Sequence, residues 1–138
     1  MIVPNLMVTD MARSIAFYRD VLGMTLSFAV LPNREMAATG QEEGAVFATL
    51  EWEGGQLMLQ TVGSLAEDVP AFDPGQTPSP GGTVYFRGLH PDKVKGRVPA
   101  DRVVKGPELS WYGMLELYLR DPDGHIICLG APEGPPPT

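Results

Sequence analysis

Two hairpin patterns in the 138-residue chain constrain its fold more than any other feature. LEWEGGQLML (50–59) and YLRDPDGHIICL (118–129) each combine a strand, a turn that contains Gly, and a second strand. Each hairpin closes a series of elements in the same order, strand, helix and three strands. An order that repeats along a chain indicates duplication. The sequence therefore predicts an α+β protein of two paired βαβββ modules.

The first module, residues 1–62, contains the clearest helix. Apolar residues recur at helical spacing over 11–22, between an N-cap at Asp10 and a C-terminal Gly23. Alternating patterns predict strands over 2–8, 25–31, 45–52 and 56–62. The Pro- and Gly-rich segment 63–81 then reads as a connector, with one short helical possibility at 64–68.

The second module, residues 82–130, restarts the order. We expect strands over 83–87, 102–105, 111–120 and 125–130, and a helix over 90–98. This helix is expected to be short, because a Gly interrupts it and Pro residues flank it. Residues 131–138, APEGPPPT, are expected to form a flexible tail.

Charge and composition exclude some classes of function. Ten basic and seventeen acidic residues give a formal net charge of −7, which disfavours nucleic acid as a partner and favours a neutral or cationic small ligand. A single cysteine cannot form an internal disulfide. The chain has no apolar run of about 20 residues, which argues against a membrane, and its start lacks a signal-peptide pattern. These features predict a cytoplasmic protein.

The stretch DPDGHIIC (121–128) resembles a metal site but is predicted to be a turn. Asp121-Pro122-Asp123-Gly124 suits a type I turn, in which the aspartates bond nearby backbone N–H groups. Strand alternation from residue 125 would point His125 and Cys128 to opposite faces. Both histidines, His90 and His125, are expected at the surface.

Residues 2–130 resemble the vicinal oxygen chelate superfamily, which includes glyoxalase I, extradiol dioxygenases and bleomycin-resistance proteins. The resemblance depends on VTDMARSI followed by FYRDVLGM (17–24) and on DPDGHIICL near the C-terminus. WYGMLELYLRDPDG is similar to the bleomycin-resistance-like branch in particular. The resemblance implies that each module curls into half of a cup that holds a ligand.

The resemblance also locates the positions at which metalloenzymes of the superfamily carry their ligands. Those positions, a histidine on the first strand and a glutamate on the last strand of a module, fall here on Val3, Met58, Thr83 and Cys128. Hydrocarbon, thioether, hydroxyl and thiol groups are not the imidazole and carboxylate ligands of such sites. The sequence therefore predicts neither a metal nor another cofactor. A soft-metal site at Met58 and Cys128 is a weaker alternative.

Strand alternation indicates which residues would line the implied cup. The ligand-binding candidates are Asn5, Met7, Met58, Gln60, Tyr85, Arg87, Tyr112, Met114, Glu116 and Tyr118. Glu116 is the one carboxylate expected on an inward face and needs a partner there. Either Arg87 pairs with it internally, or a cationic ligand does.

The resulting hypothesis is a metal-free protein of the bleomycin-resistance type that sequesters an aromatic or cationic small molecule. An enzyme that uses the same cup, such as a lyase, isomerase or dioxygenase with acid–base chemistry by Glu116 and Tyr118, is the alternative. A purely regulatory module is a third. Unpaired sheet edges predict a homodimer. Whether the cup closes within one chain or between two is left open.

Overall fold

A computed structural model describes residues 1–135, and these residues divide into two units, 1–78 and 79–135. Each unit contains one four-stranded sheet. The elements of the first unit are β1 Asn5–Val8, α1 Met11–Ala16, β2 Thr25–Val30, β3 Phe47–Trp52, β4 Gly55–Thr61 and α2 Val62–Asp68. The predicted α+β class, with one four-stranded sheet in each module, is thus confirmed.

Helix α1 forms where its cap and its apolar spacing predict it. The Asp10 side chain accepts a hydrogen bond from the Arg13 N–H at 3.1 Å, which caps the first turn. The helix continues as a π-helical turn over Phe17–Val21, so helical structure covers almost all of the predicted range 11–22. Met11, Ile15 and Tyr18 are 2% exposed or less, and α1 packs on β3 and β4.

The first sheet has the strand order β1-β4-β3-β2, with β1 and β4 parallel and the other pairs antiparallel. Glu53 and Gly54 connect β3 to β4 with φ angles of 49° and 79°. Two successive positive φ angles are typical of a type I′ hairpin turn, whose twist matches that of the strands. The predicted hairpin is confirmed.

The second unit repeats this arrangement. Its strands are β5 Thr83–Arg87, β6 Val103–Leu109, β7 Met114–Arg120 and β8 Ile126–Pro132, in the order β5-β8-β7-β6. Here β5 and β8 are parallel, and β7 is antiparallel to both β6 and β8. Leu117, Leu119, Ile127 and Leu129 are 2% exposed or less and form the core. Their opposite-face neighbours on β7 and β8 include Glu116, Tyr118 and Cys128.

Several predicted boundaries are wrong. Residues 90–98 form two 3-10 helices, Pro91–Lys93 and Lys95–Arg97, because the flanking Pro and the internal Gly leave too few helix formers for an α-helix. β1 begins at residue 5 and β7 at residue 114, three residues later than predicted in each case. β6 extends to residue 109, four residues beyond the prediction.

The predicted strand end at residue 130 is also wrong, because β8 runs through Pro132. Beyond it, the N–H groups of Glu133 and Gly134 donate to the Gly113 carbonyl at 2.9 and 3.0 Å. Residues 136–138 of the predicted tail lie outside the described residues. None of the helices that the structure describes reaches the length and hydropathy of a membrane span.

Candidate functional site

Glu116 lies at the centre of β7, between Met114 and Tyr118 on one face of the second sheet, and is only 5% exposed. Its neighbours Leu115 and Leu117 point to the opposite face, as the alternation of a strand requires. A carboxylate at such a position needs hydrogen-bond donors, since burial removes the water that would otherwise solvate it. Glu116 is therefore the centre of the candidate site.

Two tyrosine hydroxyls supply those donors. Tyr85, on β5, donates to Glu116 Oε2 at 2.7 Å. Tyr112, in the turn before β7, lies 2.7 Å from Oε1 and 2.6 Å from Oε2 and donates to both. Hydrogen bonds to an ionised carboxylate are short and stronger than those between neutral groups. The carboxylate is thus fixed by groups from two different elements.

The same contacts determine the protonation of the tyrosines. Burial, followed by the hydrogen bond to Glu116, raises the pKa of Tyr85 well above its usual value. The hydrogen bond to Glu116 is the main cause of a raised pKa at Tyr112, which is more exposed. Both hydroxyls consequently keep their protons at neutral pH and remain donors.

Gly130 makes the contact between Tyr85 and Glu116 possible. Strand β8 lies between β5 and β7, and its Gly130 is opposite both Arg87 and Glu116 in the sheet. A Cβ atom at this position would lie 2.2 Å from the Tyr85 hydroxyl oxygen and 3.1 Å from Glu116 Cγ. The Tyr85 hydroxyl crosses β8 only because residue 130 has no side chain.

Arg87 does not neutralise Glu116. Its guanidinium lies over the ring of Tyr85, 5.4 Å from the ring centroid, in a cation–π arrangement. Among the described residues, the ion pairs within 4.0 Å include neither Arg87 nor Glu116. Of the two possibilities left open by the sequence, internal pairing with Arg87 is therefore wrong. Within residues 1–135 the carboxylate is held by the neutral hydroxyls of Tyr85 and Tyr112.

Tyr118 and Cys128 are cross-strand neighbours on the face that carries Glu116. Hydrogen bonding to Cys128, followed by burial, raises the pKa of Tyr118 to about 12. Burial raises the pKa of the Cys128 thiol to about 11. The Lys105 ammonium lies 5.8 Å from the Tyr118 ring centroid and forms an ion pair with Glu108 at 3.0 Å. At neutral pH this part of the face is a protonated phenol beside a protonated thiol.

The residues at the metal-ligand positions of the superfamily do not fit a divalent cation. Val3 offers hydrocarbon, Met58 a thioether and Thr83 a neutral hydroxyl, while the buried Cys128 thiol keeps its proton. Zinc, iron and similar ions require deprotonated thiolate, imidazole or carboxylate ligands. Nor do residues 1–135 contain a group of three or more His, Cys, Asp or Glu side chains that could hold a metal ion.

The ligand-binding candidates fall into two sets. Tyr85, Arg87, Tyr112, Met114, Glu116 and Tyr118 belong to the second unit, whereas Asn5, Met7, Met58 and Gln60 belong to the first. In the first sheet, Asn5 pairs with Met58 and Met7 with Gln60. Asn5 Nδ2 donates to Gln60 Oε1 at 2.9 Å. Hydrogen bonds and strand pairing thus connect candidates of the same unit with one another.

The DPDG stretch is the predicted turn. The N–H of Gly124 donates to the Asp121 carbonyl at 3.0 Å, and Asp121 Oδ1 accepts from the N–H groups of Asp123 and His125 at 2.9 and 2.8 Å. Asp121 is fully buried and structural. The prediction that His125 lies at the surface is wrong, because it is only 8% exposed where β8 begins.

Comparison with known proteins agrees with the fold. The family model described as Glyoxalase/Bleomycin resistance protein/Dioxygenase superfamily matches residues 2–129. The chain therefore belongs to this superfamily. No curated protein sequence matches the chain.

Solved structures with the same fold come from several bacteria. A glyoxalase/bleomycin resistance protein/dioxygenase family enzyme from Burkholderia phytofirmans PsJN is 16% identical to this chain, with a TM-score of 0.68. The match covers 94% of this chain and 95% of that protein's chain. TioX from Micromonospora sp. ML1 is 20% identical with a TM-score of 0.66, covering 94% and 96%. A protein of unknown function from Agrobacterium tumefaciens str. C58 is 23% identical with a TM-score of 0.66, covering 95% and 92%. At these identities the similarity concerns the fold alone.

Proposed function

We propose that this chain is a metal-independent small-molecule-binding protein of the bleomycin-resistance type, which sequesters an aromatic or cationic compound at Glu116. The observation that carries the proposal is the buried Glu116 carboxylate. Within residues 1–135 its hydrogen-bond partners are two tyrosine hydroxyls. Neutral donors satisfy the oxygen lone pairs, and within residues 1–135 no cationic side chain forms an ion pair with this carboxylate within 4.0 Å. A cationic ligand supplies a counter-charge.

The surroundings of Glu116 favour an aromatic cation. Three tyrosine rings, those of Tyr85, Tyr112 and Tyr118, lie near Glu116, and such rings attract cations as well as flat apolar groups, as Arg87 over Tyr85 and Lys105 near Tyr118 illustrate. Tyr112 is 37% exposed and lies in a turn, so its hydroxyl is the donor that a ligand most easily replaces. The net charge of −7 adds a long-range attraction for cations.

The proposal is tested with matched probes. Benzylamine, which carries an ammonium at neutral pH, and neutral benzyl alcohol are compared by calorimetry, after a thermal-shift screen of larger cationic and neutral aromatic compounds. The ammonium compounds should bind more tightly. Glu116→Gln should weaken them by about 1.5–3 kcal/mol, the value of a hydrogen bond to a charged group, or roughly 10- to 150-fold.

Glu43→Gln is the matched control, because Glu43 is exposed in the first unit. It removes the same charge and should leave the affinity unchanged. Equal affinity of Glu116→Gln and the unmodified chain for every ammonium compound would contradict the proposal. So would a preference for benzyl alcohol over benzylamine.

An enzyme is the second candidate, and one distance favours it. The Tyr85 hydroxyl lies 2.7 Å from Glu116 Oε2, so a carboxylate and a phenol are within reach of proton transfer. The acid–base pair expected from the sequence was Glu116 with Tyr118, but Tyr118 interacts with Cys128 instead. Recovery of the bound compound chemically unchanged supports sequestration, whereas conversion that disappears in Glu116→Gln supports an enzyme.

We also propose that the protein is a cytoplasmic homodimer. β2 and β6 are edge strands of their sheets, and Trp111 and Leu109 in the second unit are 85% and 53% exposed. Edge strands and large exposed apolar side chains favour pairing with a second copy. A lone buried cysteine suits a reducing compartment. Light scattering that gives a monomer mass would contradict the dimer.

A further inference from the structure

A cleft of about 600 Å³ opens in the first unit, and its lining residues lie between Val30 and Asp68. It lies where β2 and β4 end and β3 begins, with α2 forming one side. Val30, Leu31, Val46 and Phe47 provide its apolar lining. This volume is within the range of small-molecule sites, which combine apolar walls with a few fixed polar groups.

Gln60 provides a fixed polar group in this cleft. It is 5% exposed, and its amide is held on both sides. Nε2 donates to Ser64 Oγ at 2.9 Å and to Asp68 Oδ2 at 2.7 Å, while Oε1 accepts from Asn5 at 2.9 Å. The buried amide therefore orients the Asp68 carboxylate, which needs no rearrangement to receive a ligand.

Charges of both signs line the same cleft from different elements. Asp68 and Glu67 come from the end of α2, and Arg34 comes from the turn after β2. Asp68 accepts through Oδ2 alone among the described residues, which leaves Oδ1 for a ligand. None of the three side chains belongs to an ion pair within 4.0 Å in residues 1–135.

The backbone at Arg34 is unusual. Its φ of 72° lies in the left-handed region, which residues other than Gly adopt infrequently. The turn is closed by Arg34 N–H to Leu31 O at 2.9 Å and Leu31 N–H to Glu35 O at 2.8 Å. The guanidinium is thus presented from a hydrogen-bonded turn, and arginine is the side chain best suited to bind a carboxylate through two parallel hydrogen bonds.

We infer that this cleft binds a small zwitterion with an apolar side group, such as a free α-amino acid. The ligand ammonium binds Asp68 and Glu67, its carboxylate binds Arg34, and its apolar group lies against Phe47 and Val46. A ligand of one charge would leave either the arginine or the two carboxylates unpaired. The zwitterion pairs both and so matches the cleft better than a simple amine or acid.

Three probes of the same aromatic size separate these possibilities. L-phenylalanine carries both charges, phenethylamine only the ammonium, and 3-phenylpropionate only the carboxylate. Each is titrated into the ¹⁵N-labelled 138-residue chain, and backbone amide shifts are followed. L-phenylalanine should shift the amides of Phe47, Gly63 and Ser64, with at least tenfold tighter binding than either singly charged probe.

Two variants and two controls test the assigned roles. Arg34→Gln and Asp68→Asn should each weaken L-phenylalanine at least tenfold. The amide oxygen in Asp68→Asn still accepts from Gln60, and the thermal unfolding midpoint checks that both variants fold. Arg120→Gln and Asp101→Asn remove the same charges at exposed positions of the second unit and should leave binding unchanged.

Failure here is distinguishable from failure of the Glu116 proposal. Glu116→Gln should retain the Phe47, Gly63 and Ser64 shifts in full. The inference is overturned if millimolar L-phenylalanine leaves these amides unshifted, if Arg34→Gln binds it as tightly as the unmodified chain, or if phenethylamine alone binds equally well.

Discussion

Gly130→Ala isolates the geometry on which the candidate site depends. The added Cβ would lie 2.2 Å from the Tyr85 hydroxyl oxygen, against about 3.4 Å for an ordinary contact, so one of the two groups must move by about 1.2 Å. A shift of that size is enough to break the 2.7 Å hydrogen bond between Tyr85 and Glu116. The nearest other atoms, Tyr85 Cζ at 3.0 Å and Glu116 Cγ at 3.1 Å, leave little room for an alternative.

The expected cost follows from two ways of relieving this contact. If Tyr85 rotates away, the chain loses a hydrogen bond to a charged group, worth about 1.5–3 kcal/mol. If Tyr85 stays, overpacking costs about 1–3 kcal/mol. The two are alternatives and do not add, so Gly130→Ala should lower the free energy of unfolding by about 1–3 kcal/mol. Urea unfolding followed by circular dichroism measures it.

Gly96→Ala provides the matched control, because a Cβ there meets no atom within 4 Å and its φ is not in the left-handed region. It should be neutral or stabilising by about 0.4–1 kcal/mol. In a Tyr85→Phe background the clashing hydroxyl is absent, and Gly130→Ala should cost less. Alkaline absorbance titration should also show that the raised pKa of Tyr85 falls in Gly130→Ala.

The reasoning is refuted if Gly130→Ala unfolds at the same urea concentration as Gly96→Ala. It is also refuted if the cost is equal in the Tyr85→Phe background, since the hydroxyl contact would then contribute nothing.

Three further predictions concern stability. Asp121→Ala removes the acceptor of the buried His125 N–H and of the half-buried Asp123 N–H, and it should cost about 2–4 kcal/mol in urea unfolding, while exposed Asp101→Ala should cost less than about 0.5 kcal/mol. Burial raises the pKa of Cys128 from 9.0 to about 11, so the thiol of the unfolded chain loses its proton at a lower pH than the thiol of the folded chain. The free energy of unfolding should therefore fall between pH 9 and 11, by up to about 1.4 kcal/mol per pH unit. Cys128→Ala should make this fall smaller. Leu59→Ala creates a cavity at a fully buried position on β4 and should lower the free energy of unfolding by about 2–5 kcal/mol. A smaller decrease would mean that the first unit repacks around the cavity.

Local sequence patterns predicted the elements of this fold where local interactions determine them. The Asp10 cap, the helix that follows it and the Glu53-Gly54 turn depend on residues close in sequence, and the structure confirms them. Strand ends were less accurate, because pairing with a neighbour decides where a strand stops. β6 is the clearest example: its register shifts against β7 between Val103 and Lys105 and again before Glu108. No alternation pattern encodes such shifts.

The candidate site likewise has features that local sequence predicts and features that depend on strand pairing. Alternation correctly assigned Glu116 and Tyr118 to one face of β7. The partners of Glu116 could not be predicted, because Tyr112 lies outside any strand and Tyr85 reaches Glu116 across a third strand. The signal that could have identified them is the Gly at position 130, but its meaning depends on the β8–β7 register. Register is a property of the folded sheet, so strand alternation alone predicts Arg87 as the nearest partner.

The strand order has a consequence for how the chain is made. In each unit the last strand to be synthesised lies inside the sheet: β4 between β1 and β3, and β8 between β5 and β7. Neither sheet is complete until that strand has left the ribosome. The last strand must therefore insert between two earlier strands, because it does not add to the edge of a finished sheet. Contacts so distant in sequence form slowly. The strands of the first sheet are complete in sequence at residue 61, some seventy residues of translation before Pro132 completes those of the second sheet.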